Sequence, residues 1–351
     1  MATIRSCVRK MTGYVPGGSA KDPRTIKLNQ NENRYPPSPQ VAEAIQSAMM
    51  QLNRYPDSAS LSLRRAAAEM YGVTVEEVMA TNGSDEMLLL FFRCCCSPGD
   101  EAVGFYPGYT YYATLAAMND VRYRLIELTD EFRLPKRLNP GDAKLVFLAN
   151  PHAPTGTLFP EGDVRRLIES IPDGLVVIDE AYADFSGATV IPLLRDYPNL
   201  AVVRTFSKGY ALAGLRVGLG FARKEILEQF EKVRDFYNLD RLAQAGAEAA
   251  LRDREWLRKT TAKVIASRER TAEGIARLGF KVYASASNFI FFRSSGDVEA
   301  ERIFASLLRR NIMVRHFRDR KVSDCLRVSV GTDDDMDAFL DGLARAKEEA
   351  D

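Results

Sequence analysis

The stretch Thr205-Phe206-Ser207-Lys208-Gly209-Tyr210-Ala211-Leu212-Ala213-Gly214-Leu215-Arg216 decides how the chain is read. A near-continuous apolar run, Leu200-Ala201-Val202-Val203, leads into it and reads as a buried strand of a parallel sheet. At the strand's end stand two hydroxyls, one lysine, a run of small residues and an arginine eight positions past the lysine. A lysine after a strand is ordinarily a solvated surface residue. Here small residues crowd the backbone, hydroxyls flank the amine and a fixed cation follows. Such a segment can hold a phosphorylated cofactor against a lysine, so Lys208 reads as a Schiff-base lysine.

Other strand ends carry polar residues in the same way. Lys144 to Ala149 is apolar after its first residue and ends in Asn150-Pro151-His152-Ala153-Pro154-Thr155-Gly156, where two prolines stiffen the loop around Asn150. Leu175-Val176-Val177-Ile178 ends in Asp179-Glu180-Ala181-Tyr182; an aspartate there is desolvated and calls for a cationic partner. Glu101 to Gly104 delivers Tyr106-Pro107-Gly108-Tyr109-Thr110-Tyr111-Tyr112, whose rings either pack or line a pocket. Val78-Met79-Ala80 leads to Gly83-Ser84-Asp85-Glu86 ahead of an apolar helix, Met87 to Cys96; that turn is either an ordinary cap or an anion seat. Strands alternating with helical segments such as Glu161 to Ser170 imply an α/β fold with a mainly parallel sheet, whose ligands bind at the strands' carboxyl ends.

Composition narrows the function classes. Lys+Arg number 48 against 47 Asp+Glu, a net charge of +1 that gives no general attraction to nucleic acid or anionic membrane. No apolar run reaches the roughly 18 residues of a membrane span, and Met1 to Cys7 lacks a signal-peptide core. Five cysteines, three of them consecutive at Cys94-Cys95-Cys96, fit a reducing cytoplasm better than a disulfide framework. Two histidines, His152 and His316, with no Cys/His cluster, argue against a metal enzyme.

Residues 1–30 read as an extended arm that packs on the smaller domain or a partner subunit, 31–245 as the large domain, and 246–351 as a small α+β domain. Asn29 to Pro39 is a polar, proline-rich loop around Tyr35, equally a linker or a substrate-facing segment. Arg327, inside the alternating strand Cys325 to Val330, lies on a solvated face or forks onto a carboxylate.

The set Asn150-Pro151-x-x-Pro154-Thr155-Gly156, Asp179-Glu180-Ala181-Tyr182 and Ser207-Lys208-x-x-x-Leu212-Ala213-Gly214-Leu215-Arg216 resembles fold-type I pyridoxal-phosphate aminotransferases, most closely the histidinol-phosphate aminotransferase family. Tyr14-Val15-Pro16-Gly17, Asn31-Glu32-Asn33, Arg54-Tyr55-Pro56-Asp57, Ser287-Asn288-Phe289 and Leu326 to Thr332 follow in family order over nearly the whole chain. The resemblance implies a large domain with a seven-stranded sheet, a smaller α+β domain, and pyridoxal 5'-phosphate as cofactor. By resemblance, Lys208 carries the cofactor and shuttles the substrate proton, and Asp179 pairs with the ring nitrogen. Asn150 and Tyr182 bond the ring's phenolic oxygen, and Tyr109 stacks on its face. Ser84, Asp85, Thr205, Ser207 and Arg216 hold the phosphate, with Tyr55 reaching it from the partner of a homodimer. Arg327 clamps the substrate carboxylate, Tyr35 and Asn288 line the substrate side, and Arg315 meets the distal phosphate.

Two departures bear on the substrate. His152-Ala153 replaces the family's Asn-Asn, and Arg34-Tyr35-Pro36 replaces Pro-Tyr-Gly, setting a cation near the entrance or in solvent. The implied reaction moves an amino group between histidinol phosphate and 2-oxoglutarate in the cytoplasm, with no metal, nucleic acid or membrane partner. An aromatic amino-acid aminotransferase and, further off, an amino-acid-phosphate decarboxylase are the alternatives.

Overall fold

The computed structural model describes residues 3–14, 17–18, 20, 22–294 and 299–349. Val15 and Pro16 of the arm motif lie outside the described residues. The arm enters through a short helix, Ser6–Lys10, and the strand β1 (Ile26–Lys27). Seven strands then build the main sheet: β2 (Val78–Asn82), β3 (Glu101–Tyr106), β4 (Arg122–Glu127), β5 (Leu145–Ala149), β6 (Leu175–Asp179), β7 (Leu200–Thr205) and β8 (Val217–Ala222). Their order is β2-β8-β7-β6-β5-β3-β4, with β8 alone running against its neighbours. The central strands β5, β6, β7 and β8 are buried along their whole length, which is why they read as apolar runs.

Helices cover both faces of this sheet. On one side Phe91, Phe92 and Leu88 of the helix Gly83–Cys95 meet Phe147 and Val177; on the other, Val164, Leu167 and Ile168 of the helix Glu161–Glu169 meet Val146, Ile178 and Val202. The segment Gly83-Ser84 is the first turn of its helix rather than a loop ahead of it. The strand β4 was absent from the sequence reading. It is an edge strand with alternating charges and half its face exposed, so it lacks an apolar run.

The second layer is an antiparallel sheet of β9 (Lys281–Tyr283), β10 (Phe289–Arg293), β12 (Arg315–His316) and β13 (Cys325–Ser329), in the order β12-β13-β10-β9. Ile290, Phe292, Leu326 and Val328 form its core with Leu343 of the helix Asp333–Glu348. The arm strand β1 pairs in parallel with β11 (Ile312–Met313), tying the arm to this smaller domain. Residue 246, where the sequence reading begins the small domain, falls inside the helix Arg241–Arg252. That helix packs on Pro39–Met49 of the large domain, so we propose Asp253, the turn into the 24-residue helix Arg254–Arg277, as the dividing point.

Candidate active site

The carboxyl ends of β3, β5, β6 and β7 open into a cavity of about 520 Å³, bordered also by Asn29 to Glu32 and by Arg315, Phe317, Asp319 and Arg327 of the small domain. Lys208 lies three residues past the end of β7 and its amine points into this space, donating to the Gln30 carbonyl at 3.1 Å. Burial, helped by the Arg327 charge, pushes its pKa down to about 8. Asn33 Nδ2 donates to the Lys208 and Gly209 carbonyls at 3.1 and 3.2 Å and fixes the backbone beneath the amine.

Asp179 ends β6 with its carboxylate buried. Tyr112 Oη donates to one oxygen at 2.7 Å and the Ala181 N–H to the other at 3.1 Å. Burial still dominates and pushes its pKa up to about 6. Among the described residues no cation pairs with it. The buried Arg204 is committed to Glu180 at 3.0 Å and to Asp184.

An anion seat lies across the cavity. The helix Gly83–Cys95 presents the N–H groups of its first turn, with Ser84 and Asp85 on the cavity wall. Arg216 reaches Ser207 Oγ at 3.3 Å and Asp85 Oδ2 at 3.1 Å, while Thr205 Oγ1 donates to Ser207 Oγ at 3.1 Å. The close approach of β8 to this helix needs Gly218, where a Cβ would stand 2.5 Å from the Gly83 carbonyl carbon and the Ser84 nitrogen. Gly218→Ala is therefore expected to displace the first turn and weaken phosphate binding about tenfold or more, read by titrating cofactor-stripped protein with cofactor. Unchanged affinity would show that the turn is not the seat.

On the small-domain side Arg327 and Arg315 stand opposite each other across β13 and β12. Both line the cavity, and neither has a carboxylate partner among the described residues. Arg327 lies 5.1 Å from the Phe289 ring centre and gives one hydrogen bond to the Asn29 carbonyl at 3.3 Å; its Nε is buried without a partner. Like charges facing each other across an antiparallel pair are unfavourable, and burial with the Arg315 charge holds the Arg327 pKa below its ordinary value. The pair is built to receive anions.

Lys208, Asp179, Tyr182, Tyr109, Ser84, Asp85, Thr205, Ser207, Arg216, Arg315 and Arg327 thus come together around one cavity. Three residues expected at this cavity do not line it, and Tyr55, expected to act from a partner subunit, faces outward. Asn150 is not on the cavity wall: its amide oxygen accepts from the Phe159 N–H at 2.9 Å and its nitrogen gives one hydrogen to the Phe159 carbonyl at 3.4 Å. Asn288 donates to the Asn31 carbonyl at 2.9 Å, behind the cavity wall. Tyr35 is carried away by Pro36-Pro37 and packs under Lys263, 5.2 Å from its ring centre. Tyr55 lies on the surface, 77% exposed and stacked on Tyr237. Arg34 is neither in the cavity nor free: it pairs with Asp335 at 3.0 Å. His152 is a core residue, bonded to Thr155 Oγ1 at 2.8 Å and pushed down to about 3 by burial, hence neutral.

Sequence reasoning did not single out Tyr112, Asn31 or Asn33 for the contacts they make. Tyr112 could have been found as the ring one helical turn past Tyr109; the asparagines' partners are distant in sequence and left no local signal.

A family model described as "Aminotransferase class I and II" matches residues 23–343. The chain belongs to the class I and II aminotransferases. It is 44% identical over 345 residues to a histidinol-phosphate aminotransferase of Geotalea daltonii, covering 98% of this chain and 99% of that one. One from Clostridium acetobutylicum is 41% identical, covering 96% of each. Within the class, the chain belongs with the histidinol-phosphate aminotransferase family. The crystal structure of histidinol-phosphate aminotransferase from Sinorhizobium meliloti in complex with pyridoxal-5'-phosphate superposes with a TM-score of 0.91 at 26% identity, over 99% of this chain and 98% of that one.

The residues present fit pyridoxal phosphate. A buried carboxylate without a cation suits a protonated ring nitrogen, a helix N-terminus with Arg216 suits a phosphate, and a buried amine with a lowered pKa suits an aldehyde.

Proposed function

We propose that this chain transfers the amino group of histidinol phosphate to 2-oxoglutarate, with pyridoxal phosphate held at Lys208. The observation that carries the reading is the apposed pair Arg315 and Arg327 at one end of a cavity whose other end is already an anion seat. Histidinol phosphate brings a dianionic phosphate to the pair, and glutamate brings two carboxylates. Two guanidiniums serve both; one serves neither well.

Pyridoxal phosphate, when bound, supplies an aldehyde that captures amines and a ring that accepts the electron pair left when the α-proton departs. The protein's residues do the rest. The Asp179 carboxylate, fixed by Tyr112 and Ala181, keeps a proton on the ring nitrogen. Lys208 Nζ, lowered to about 8, would take the proton from the substrate α-carbon and hold it for the cofactor's aldehyde carbon, on the far side of the amino nitrogen. Tyr182 Oη offers its hydrogen to the ring oxygen. Ser84, Asp85, Ser207, Thr205 and Arg216 fix the phosphate end, and Tyr109 bounds one ring face. Phe317 and Val322 of the small domain add apolar surface to the cavity wall.

Arg315→Leu separates this reading from an aromatic aminotransferase. Phenylalanine carries one anionic group, which Arg327 receives. The substitution is expected to lower kcat/KM for histidinol phosphate about 100-fold while changing phenylalanine little, as befits loss of one charge-assisted contact of about 2–3 kcal/mol. Equal losses, or a wild type that prefers phenylalanine, would overturn it.

The homodimer and the cytoplasm belong to the same reading. Tyr55 stacks on Tyr237, and Met49, Met50, Leu52 and Phe236, near these two in sequence, are exposed as well, apolar side chains of the kind a second copy covers. From there Tyr55 reaches the partner's phosphate seat. Sedimentation should give a dimer, and Tyr55→Phe should weaken cofactor binding several-fold without changing mass; a monomer with full activity would refute this. The five cysteines are all free thiols, which suits a reducing compartment, and no helix among the described residues is long and apolar enough to cross a membrane.

A further inference from the structure

Behind Tyr182 runs a chain of buried polar groups that the reaction scheme does not use. Asn31 is 1% exposed and Ser329 2% exposed. The Asn31 backbone N–H donates to Ser329 Oγ at 2.8 Å, Ser329 Oγ donates to Asn31 Oδ1 at 3.1 Å, and Asn31 Nδ2 donates to Tyr182 Oη at 2.9 Å. The Asn31 carbonyl in turn accepts from Asn288 Nδ2 at 2.9 Å. Asn31 also adopts a left-handed backbone, φ 56°, which asparagine tolerates and which locks the side chain's course.

The directions of these bonds matter more than their number. Ser329 Oγ already accepts a hydrogen bond from the Asn31 backbone, so its own hydrogen is free to go to Asn31 Oδ1. That fixes the amide with its nitrogen toward Tyr182, since the reverse orientation leaves the serine hydrogen without an acceptor. A tyrosine oxygen that accepts from an N–H must send its own hydrogen elsewhere. The open side of Tyr182 is the cavity, 5.9 Å from ring centre to Lys208 Nζ.

We propose that Asn31, oriented by Ser329, is a positioning residue that sets the polarity of Tyr182, so that the tyrosine hydroxyl donates into the cavity toward the cofactor's ring oxygen. Ser329 lies on β13 two residues past Arg327, so the same strand that receives the substrate anion also fixes the tyrosine's hydrogen. The inference rests on the proposed pyridoxal phosphate site and on Tyr182 as a donor to its ring oxygen.

The test is the pH midpoint of the visible absorbance transition of the holoenzyme, a signature that loss of packing alone does not move in a set direction. Donation to the ring oxygen favours the deprotonated form, so Tyr182→Phe is expected to raise the midpoint by about one unit. Asn31→Asp keeps the backbone preference but turns the donor into an acceptor, which takes the tyrosine hydrogen for itself. It is expected to raise the midpoint as much as Tyr182→Phe does, and to add almost nothing in the Tyr182→Phe background. Asn31→Gly and Ser329→Ala are expected to give smaller rises, and they carry the test if Asn31→Asp fails to fold. An unchanged midpoint in the Asn31 variants, or the same rise with and without the tyrosine hydroxyl, overturns the proposal while leaving Tyr182 as donor. A Tyr182→Phe variant with the wild-type midpoint overturns both.

Discussion

Lys208→Ala is expected to remove transamination, lowering kcat/KM by at least about three orders of magnitude, and to abolish the visible band of lysine-bound cofactor. The size of the loss follows from the amine's two duties, holding the cofactor and moving the substrate proton. No other lysine lines the cavity among the described residues, so nothing in the chain can substitute. The alanine chain should still bind pyridoxal phosphate, because Arg216, Ser207 and the helix N-terminus are untouched. A small primary amine in the medium is expected to restore part of the rate, which a misfolded protein would not allow. Steady-state assays and absorbance spectra check both points; a variant that keeps its activity or its band would contradict the assignment.

Asp179→Asn is expected to cost about 10²- to 10³-fold in kcat, the range for removing one preorganised electrostatic contact from a water-poor site. The same substitution should stabilise the cofactor-free chain. Folding raises the Asp179 pKa from 3.8 to about 6, so the folded chain binds the proton more tightly than the unfolded one. That contribution is complete below about pH 4 and is lost as pH rises through about 6, leaving a buried charge at neutral pH. Asparagine avoids the penalty, and urea unfolding of stripped protein at pH 7 should show a gain on the order of 2–3 kcal/mol. Activity lost while stability is gained identifies a residue kept for its chemistry. A variant that is both inactive and less stable would mark Asp179 as structural instead.

Much of this site was legible because parallel strands advertise themselves. Leu175 to Ile178 and Leu200 to Val203 are buried on both faces, so each reads as an apolar run whose first polar residue marks a carboxyl end. Asp179 is legible that way, whereas Lys208, five positions past Val203, is legible from the hydroxyls, small residues and arginine around it. Asn150 shows the limit: its position at a strand end was correct, but its amide bonds the backbone of Phe159, nine residues on, which no local pattern reveals. The loop around Tyr35 reads equally as linker or substrate-facing and Arg34 as near the entrance or in solvent; the deciding partners, Asp335 for Arg34 and Lys263 for Tyr35, lie 301 and 228 positions away on the small-domain side. The asparagines of the same loop stayed ambiguous for a like reason: what Asn31 and Asn33 hold, Tyr182 and the Lys208 carbonyl, belongs to other strands.

The central claim is that Lys208 holds pyridoxal phosphate in a cavity whose paired arginines select histidinol phosphate. It is tested most directly by adding histidinol phosphate to the purified holoenzyme, without any 2-oxo acid, and following the visible band. One equivalent per site should bleach the band in a single fast phase, at a concentration where the same amount of phenylalanine leaves it nearly intact. A band that histidinol phosphate does not touch, or that phenylalanine bleaches more readily, would contradict the account.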